Sequence, residues 1–225
     1  MSNPTAHPLS CQPASRLFGH DRGTPIDRFY IENFLRSNSD QIRGRVLETG
    51  DASYTRGFGS DVHQSDVLHA TAGNRNATII GDLATGEGIP ESAFDCIILT
   101  QVLPFIFDVR AAVATCHRAL KPGGVVLATV PGISQISRYD MDRWGDFWRF
   151  TTRSAARLFE EAFSSGEVEI ESFGNVAVAT HFLQGLALEE IDPEELAARD
   201  PDYQLIITIK AALRNPGRRA APALP

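Results

Sequence analysis

Two periods of apolar residues alternate along this chain. Short stretches carrying aliphatic residues fall at 45–48, 62–68, 77–80, 94–100, 125–129, 168–173 and 205–211, most of them flanked by Gly or Asp. Runs of that length and β-branched content predict buried strands. Between them the apolar positions recur every three or four residues. Thr24-Pro25 with Asp27 in the first turn predicts a helix running to Arg36, with Ile26, Phe29, Tyr30 and Phe34 on one face. Asp108 can cap a helix carrying Val109, Ala112, Val113, Cys116 and Leu120 on one stripe, and Pro122-Gly123-Gly124 is expected to stop it. Thr151 or Thr152 caps a third helix whose stripe is Ala155, Leu158, Phe159, Ala162 and Phe163. The apolar stretch 176–188 reads as helical, and Asp192 with Pro193 opens one more short helix. Strands alternating with helices predict an α/β fold: a Rossmann-like, doubly wound, mostly parallel seven-stranded sheet with an antiparallel last strand and helices on both faces.

Composition narrows the function classes. With 225 residues, 43% of them apolar and 22% charged, the chain supports one core. The expected organisation is a single domain over residues 16–213, with flexible tails at 1–15 and 214–225. A net charge of −7 disfavours nucleic acid and anionic membranes as partners and favours a small molecule. No apolar run is long enough to span a bilayer, so a soluble, cytoplasmic protein is expected. Cys11, Cys96 and Cys116 are odd in number and widely spaced, which suggests neither a disulfide framework nor a zinc knuckle. The six histidines show no metal-ligand spacing, and no metal is expected.

The most specific stretch runs from Gly81-Asp82-Leu83 through Ile89-Pro90, Phe94-Asp95 and Gln101-Val102-Leu103 to Leu120-Lys121-Pro122-Gly123-Gly124. In this order of pieces, about 45–211 resembles the class I S-adenosylmethionine (SAM) dependent methyltransferases, of the type found in bacterial sugar and natural-product pathways. The resemblance implies SAM as cofactor, held in the loops after the first four strands, because a doubly wound sheet binds ligands beyond the carboxyl ends of its strands. Carried over residue by residue, it places Glu48, Gly50 and Asp51 at the methionine end. It makes Asp66, or Asp61 if the register differs, the acceptor for the ribose hydroxyls. Asp82 and Leu83 fall at the adenine, and Thr100 and Gln101 at the sulfonium.

The first loop departs from the family pattern. Where most members carry an acid, any residue and Gly-x-Gly-x-Gly, this chain reads Glu48-Thr49-Gly50-Asp51-Ala52-Ser53 and keeps only the first glycine. The connection to the next strand is also shorter than a usual parallel crossover, so its helix must be short or replaced by a loop. A dinucleotide cofactor fits poorly, since neither Gly57-Phe58-Gly59 nor Gly86-Glu87-Gly88 is followed by a glycine three residues on.

The segment 137–151 holds both tryptophans among several Arg and Asp residues. The resemblance places this region near the acceptor, making Arg138, Tyr139, Arg143, Trp144 and Trp148 candidates for acceptor contact. Packing of a long aromatic loop explains the same composition. Asp140, Asp142, Tyr139 or His20 could take a proton from an alcohol or phenol acceptor. The polar run from His20 to Thr24 is expected to cover the cofactor. The expected activity is direct methyl transfer to oxygen or nitrogen of a small sugar-like or natural-product acceptor, and a homodimer is compatible with it. Two rivals share the fold: a non-catalytic module supporting a partner enzyme, and an enzyme using the fold for cyclisation or rearrangement.

Overall fold

The computed structural model describes residues 11–164 and 166–215. Its centre is a seven-stranded sheet built from β1 (Gly44–Thr49), β2 (Val62–His69), β3 (Ile79–Ile80), β4 (Phe94–Thr100), β5 (Leu120–Pro131), β6 (Glu167–Phe173) and β7 (Ile206–Ala212). The strand order is β3-β2-β1-β4-β5-β7-β6. All pairings among the first five strands are parallel, and β7 runs antiparallel to both β5 and β6. The expected seven-stranded, mostly parallel sheet with an antiparallel last strand is therefore what forms.

Strand alternation assigns the two faces. Leu47, Ile97, Leu99, Val126, Ala128 and Ile209 lie in one buried cluster with Val113 and Cys116 of α3 (Val109–Ala119) and Phe159 of α5 (Thr152–Ala162). Their neighbours Val46, Cys96, Ile98 and Leu127 pack on the other side against Ile31 and Leu35 of α1 (Ile26–Ser37). Both faces of the central strands are thus dry, which is why these strands read as unbroken apolar runs. The crossover from β1 to β2 is made by α2 (Ser53–Phe58), a helix of 6 residues, so the short connection keeps a helix.

Several local signals work as the sequence predicts. Asp108 accepts from the Ala111 N–H, and Thr151 with Ser154 forms a reciprocal cap on α5. Three differ. Thr24 does not cap α1, because its hydroxyl donates to Glu189 and Pro25 occupies the cap position. The helix before β5 stops at Ala119, not at the Pro-Gly-Gly: Leu120 already pairs with Phe94, and Gly123, with φ of 82°, sits within β5 where the ladder shifts register. The apolar stretch 176–188 divides into α6 (Val176–Gln184), closed by Gly185 in the left-handed conformation, and a 3-10 turn at Leu188–Glu190. α7 (Pro193–Ala197) follows its Asp192 cap as expected. The remaining helix, α4 (Arg138–Met141), lies after β5.

The N-terminal segment is fastened earlier than the expected tail boundary. The Ala14 and Ser15 N–H groups donate to the Gln184 carbonyl at 2.7 and 3.2 Å, and Ser15 is buried. Residues 1–10 and 216–225 of the two expected tails lie outside the described residues.

Candidate active site

Strand order reverses between β1 and β4, and the crevice beyond the carboxyl ends of these two strands is where such a sheet takes its ligand. At the end of β1 the chain turns through Gly50, whose φ of 84° belongs to the left-handed region. A Cβ built on Gly50 would meet nothing within 4 Å, so the turn faces open space. Glu48 shapes this turn. It is buried, and its carboxylate accepts from the N–H groups of Tyr54 and Thr55 at 3.0 and 2.7 Å and from the Thr55 hydroxyl at 2.7 Å. Burial pushes its pKa up, against these hydrogen bonds. Glu48 is accordingly occupied in holding α2 onto β1. Asp51 is exposed and accepts from Ser53 N–H. Burial of its carboxyl opposes ionisation, but the bonds from Ser53 and the nearby Arg56 and Arg28 outweigh it and hold Asp51 below the usual range.

Asp66 does not reach the edge. It pairs with Leu47 in mid-strand, three residues before the end of β2, and its carboxylate accepts from Arg45 at 2.7 Å, Gln64 at 3.0 Å and Thr78 at 2.9 Å. Asp61 lies before β2, at the opposite end of the sheet. The residue at the carboxyl end of β2 is His69, which the sequence pattern did not single out. Its ring meets the edge of Trp144, with ring centroids 5.9 Å apart, so the segment after β5 reaches across to β2.

Asp82 is exposed after β3 and accepts from Ala84 N–H at 2.7 Å, while Leu83 is buried in the main core and supplies packing. Thr100 ends β4. Gln101 follows it with φ of 57°, fixed by its N–H to the Thr129 carbonyl and its side-chain amide to the Thr129 hydroxyl. A non-glycine residue held in that region is uncommon and marks an over-determined position.

Thr100 and Gln101 open into a cavity of about 530 Å³. Its wall includes the segment before α1 and its first turn (Arg16, His20, Asp27, Arg28), the ends of β4 and β5, and the loop carrying α4 (Ser137, Arg138, Tyr139, Asp140). Of the expected acceptor and proton-transfer residues, His20, Arg138, Tyr139 and Asp140 line it. Asp142, Arg143, Trp144 and Trp148 do not. Asp142 pairs with Arg138 on the exposed side, and Arg143 lies over the Tyr139 ring at 3.5 Å. The Trp148 indole N–H donates to the carbonyls of Ile106 and Phe107, pinning the loop to the turn after β4. Asp140 accepts from the Ser137 hydroxyl at 2.5 Å. Tyr30, the phenol of α1, is buried with its hydroxyl donating to the Leu196 carbonyl and its pKa pushed up to about 12 by burial.

The polar run before α1 divides. His20 lines the cavity, whereas Arg22 pairs with Glu190 and Thr24 binds Glu189, tying the run to the turn after α6. Asp27 and Arg28 are the residues the sequence did not offer as candidates. Their only signal was a helix-start pattern, and both line the cavity. Among the described residues no group of three or more His, Cys, Asp or Glu side chains could hold a metal ion, and no helix is long and apolar enough to cross a membrane.

The sheet order and the crevice beyond β1 and β4 define an α/β fold of the doubly wound type. Residues 44–128 match the family model described as "Methyltransferase domain". Solved structures agree on the fold. A SAM-dependent methyltransferase from Mesorhizobium loti has a TM-score of 0.54 at 16% identity, covering 86% of this chain and 100% of that one. The N-methyltransferase NodS from Bradyrhizobium japonicum, in complex with S-adenosyl-L-homocysteine, scores 0.54 at 16% identity over 90% and 94% of the two chains. The [4+2]-cyclase SpnF scores 0.56 at 16% identity over 92% and 88%. No curated protein sequence matches the chain. Residues 44–128 are thus similar to a methyltransferase domain, and the chain shares the fold of these solved structures.

Proposed function

We propose that this protein transfers the methyl group of SAM to an oxygen or nitrogen of a small acceptor, a sugar or natural-product intermediate, bound in the cavity between α1, the ends of β4 and β5, and the α4 loop. The observation that carries it is the cavity itself: about 530 Å³, continuous with Thr100 and Gln101 at the switch-point edge and walled on the far side by Tyr139 and Asp140. That volume suits a small ligand.

The residues at the edge fit the cofactor. Gly50 leaves open space above the β1 turn, and Asp27, on the cavity wall, carries a carboxylate oxygen without a partner among the described residues. When bound, SAM supplies a methyl group already activated on a sulfonium. The protein's task is then mainly positioning, with a proton acceptor needed only for a hydroxyl. Gln101, locked by Thr129, fixes the rim between cofactor and acceptor. Asp140, Tyr139 and His20 line the cavity and stand ready to accept that proton, while Arg138 and Tyr139 orient the acceptor. Trp144, against His69, closes the loop over the β2 end and shields the site from water.

A non-catalytic module is disfavoured by the placement of Tyr54. Its ring stacks on Phe58, against the cluster of Ile31 and Leu35, and its hydroxyl meets Arg28. Titration calorimetry with S-adenosylhomocysteine tests the cofactor, with low-micromolar affinity expected, on the order of −8 kcal/mol. Radiolabelled methyl transfer from SAM to a panel of sugars and polyhydroxylated natural products tests the acceptor. Absence of S-adenosylhomocysteine binding would sink the proposal; binding without transfer to any acceptor would favour chemistry of the cyclase kind.

A further inference from the structure

Asp27 and Arg28 are consecutive residues in the first turn of α1, and both contribute to the wall of the cavity. Asp27 has a carboxylate oxygen that is buried and has no hydrogen-bond partner among the described residues. A buried, unpaired carboxylate oxygen is costly, and on a cavity wall a cationic ligand group can complete it. Arg28 is held by the Tyr54 hydroxyl, not by a carboxylate, which leaves most of its five donors uncommitted. Tyr54 in turn belongs to α2, whose first turn is fastened to Glu48 beside Gly50. The pair therefore stands next to the β1 turn, where a glycine-rich loop is reduced to a single glycine.

We infer that Asp27 and Arg28 form a clamp for the α-amino acid group of the cofactor, Asp27 accepting from its ammonium and Arg28 donating to its carboxylate. The clamp takes over binding that the shortened β1 loop no longer provides; it rests on the cofactor assignment above. A zwitterion carries its two charges on one carbon, and adjacent side chains of opposite charge on one cavity wall match it. The carboxylate–guanidinium contact can be bidentate, which Lys cannot reproduce. Burial pushes the Asp27 pKa up, opposed by Arg28 and His20, as expected of a carboxylate awaiting a cationic partner.

Two probes separate this role from a structural one. S-adenosylhomocysteine carries the amino acid group and 5′-methylthioadenosine lacks it, while both carry the adenosine and a thioether. Calorimetry on the full chain with Asp27→Asn and Arg28→Lys should show at least a tenfold loss of affinity for S-adenosylhomocysteine in each variant. Affinity for methylthioadenosine should stay within twofold of wild type. Asp27→Asn should leave the melting temperature of the ligand-free protein unchanged or higher, since it removes a buried charge. Equal losses for both probes, or no loss for S-adenosylhomocysteine, overturns the clamp while leaving the cofactor assignment standing. Failure of wild type to bind either probe overturns both.

Discussion

Asp146 and Arg149 form a two-point ion pair, Nη1 to Oδ1 at 2.5 Å and Nη2 to Oδ2 at 3.0 Å, that ties down the loop after β5. The Asp146 side chain is 1% exposed and that of Arg149 28%. The same guanidinium donates to the carbonyls of Ser134 and Gln135, and Asp146 also accepts from Ser137 N–H. The far wall of the cavity therefore hangs on this pair as well as on Trp148, whose indole pins the loop to the turn after β4.

Asp146→Asn should cost about 3 kcal/mol, because it leaves a largely buried guanidinium without its counter-charge. Burial works against the Asp146 charge, but the Arg149 and Ser137 bonds win and hold its pKa below the ordinary range. A depressed folded-state pKa gives stability that is present above the unfolded value and lost as pH falls through the folded one. The gap between wild type and variant in urea unfolding should thus be full at pH 7 and shrink below about pH 4.

Gly50→Ala meets no atom, so its cost to stability should be only the backbone strain of the left-handed turn, about 1 kcal/mol. If the cofactor lies against this turn, affinity for S-adenosylhomocysteine should fall by tenfold or more. Denaturant melts and calorimetry on the same sample compare the two effects, and an affinity that does not change would place the cofactor elsewhere.

Glu48→Gln should destabilise the fold by about 1–2 kcal/mol, since an amide has one acceptor oxygen where Glu48 uses two against Tyr54 and Thr55. The raised folded-state pKa of Glu48 has the opposite sign to that of Asp146. Its stabilisation is fullest at low pH and declines as pH rises through the folded value. Chemical denaturation at pH 5 and pH 8 should find the wild-type advantage over the variant smaller at the higher pH.

Trp144→Ala should change stability by less than about 1 kcal/mol, as the side chain is 40% exposed and touches the fold at the His69 ring. Its effect should appear in the dissociation of S-adenosylhomocysteine, faster by several-fold in stopped-flow experiments once the loop no longer bridges to β2. A dissociation rate equal to wild type would mean that Trp144 does not cover the cofactor.

The sequence by itself determined the sheet and most helix boundaries, because period and capping are local: unbroken runs such as 94–100 must be dry on both faces, and Asp108 and Thr151 act on N–H groups three residues away. It also located the switch-point edge, since Thr100 and Gln101 follow directly from where β4 ends. It did not determine which polar residues reach that edge. Asp66 looked like a strand-end acid, but nothing local tells how far β2 continues past it, and pairing with β1 put it beside Arg45 and left His69 at the end, three residues on. Nor could it show that residues far apart in the chain share one cavity. Asp27 reads in sequence as an ordinary first-turn acid. Only the packing of α1 against β7 and α6, with the preceding segment fastened to Gln184 and Glu189, brings it and Arg28 to the wall facing Gln101 and Asp140. That convergence depends on contacts such as Thr24 with Glu189, 165 residues apart in the chain, which no local pattern encodes.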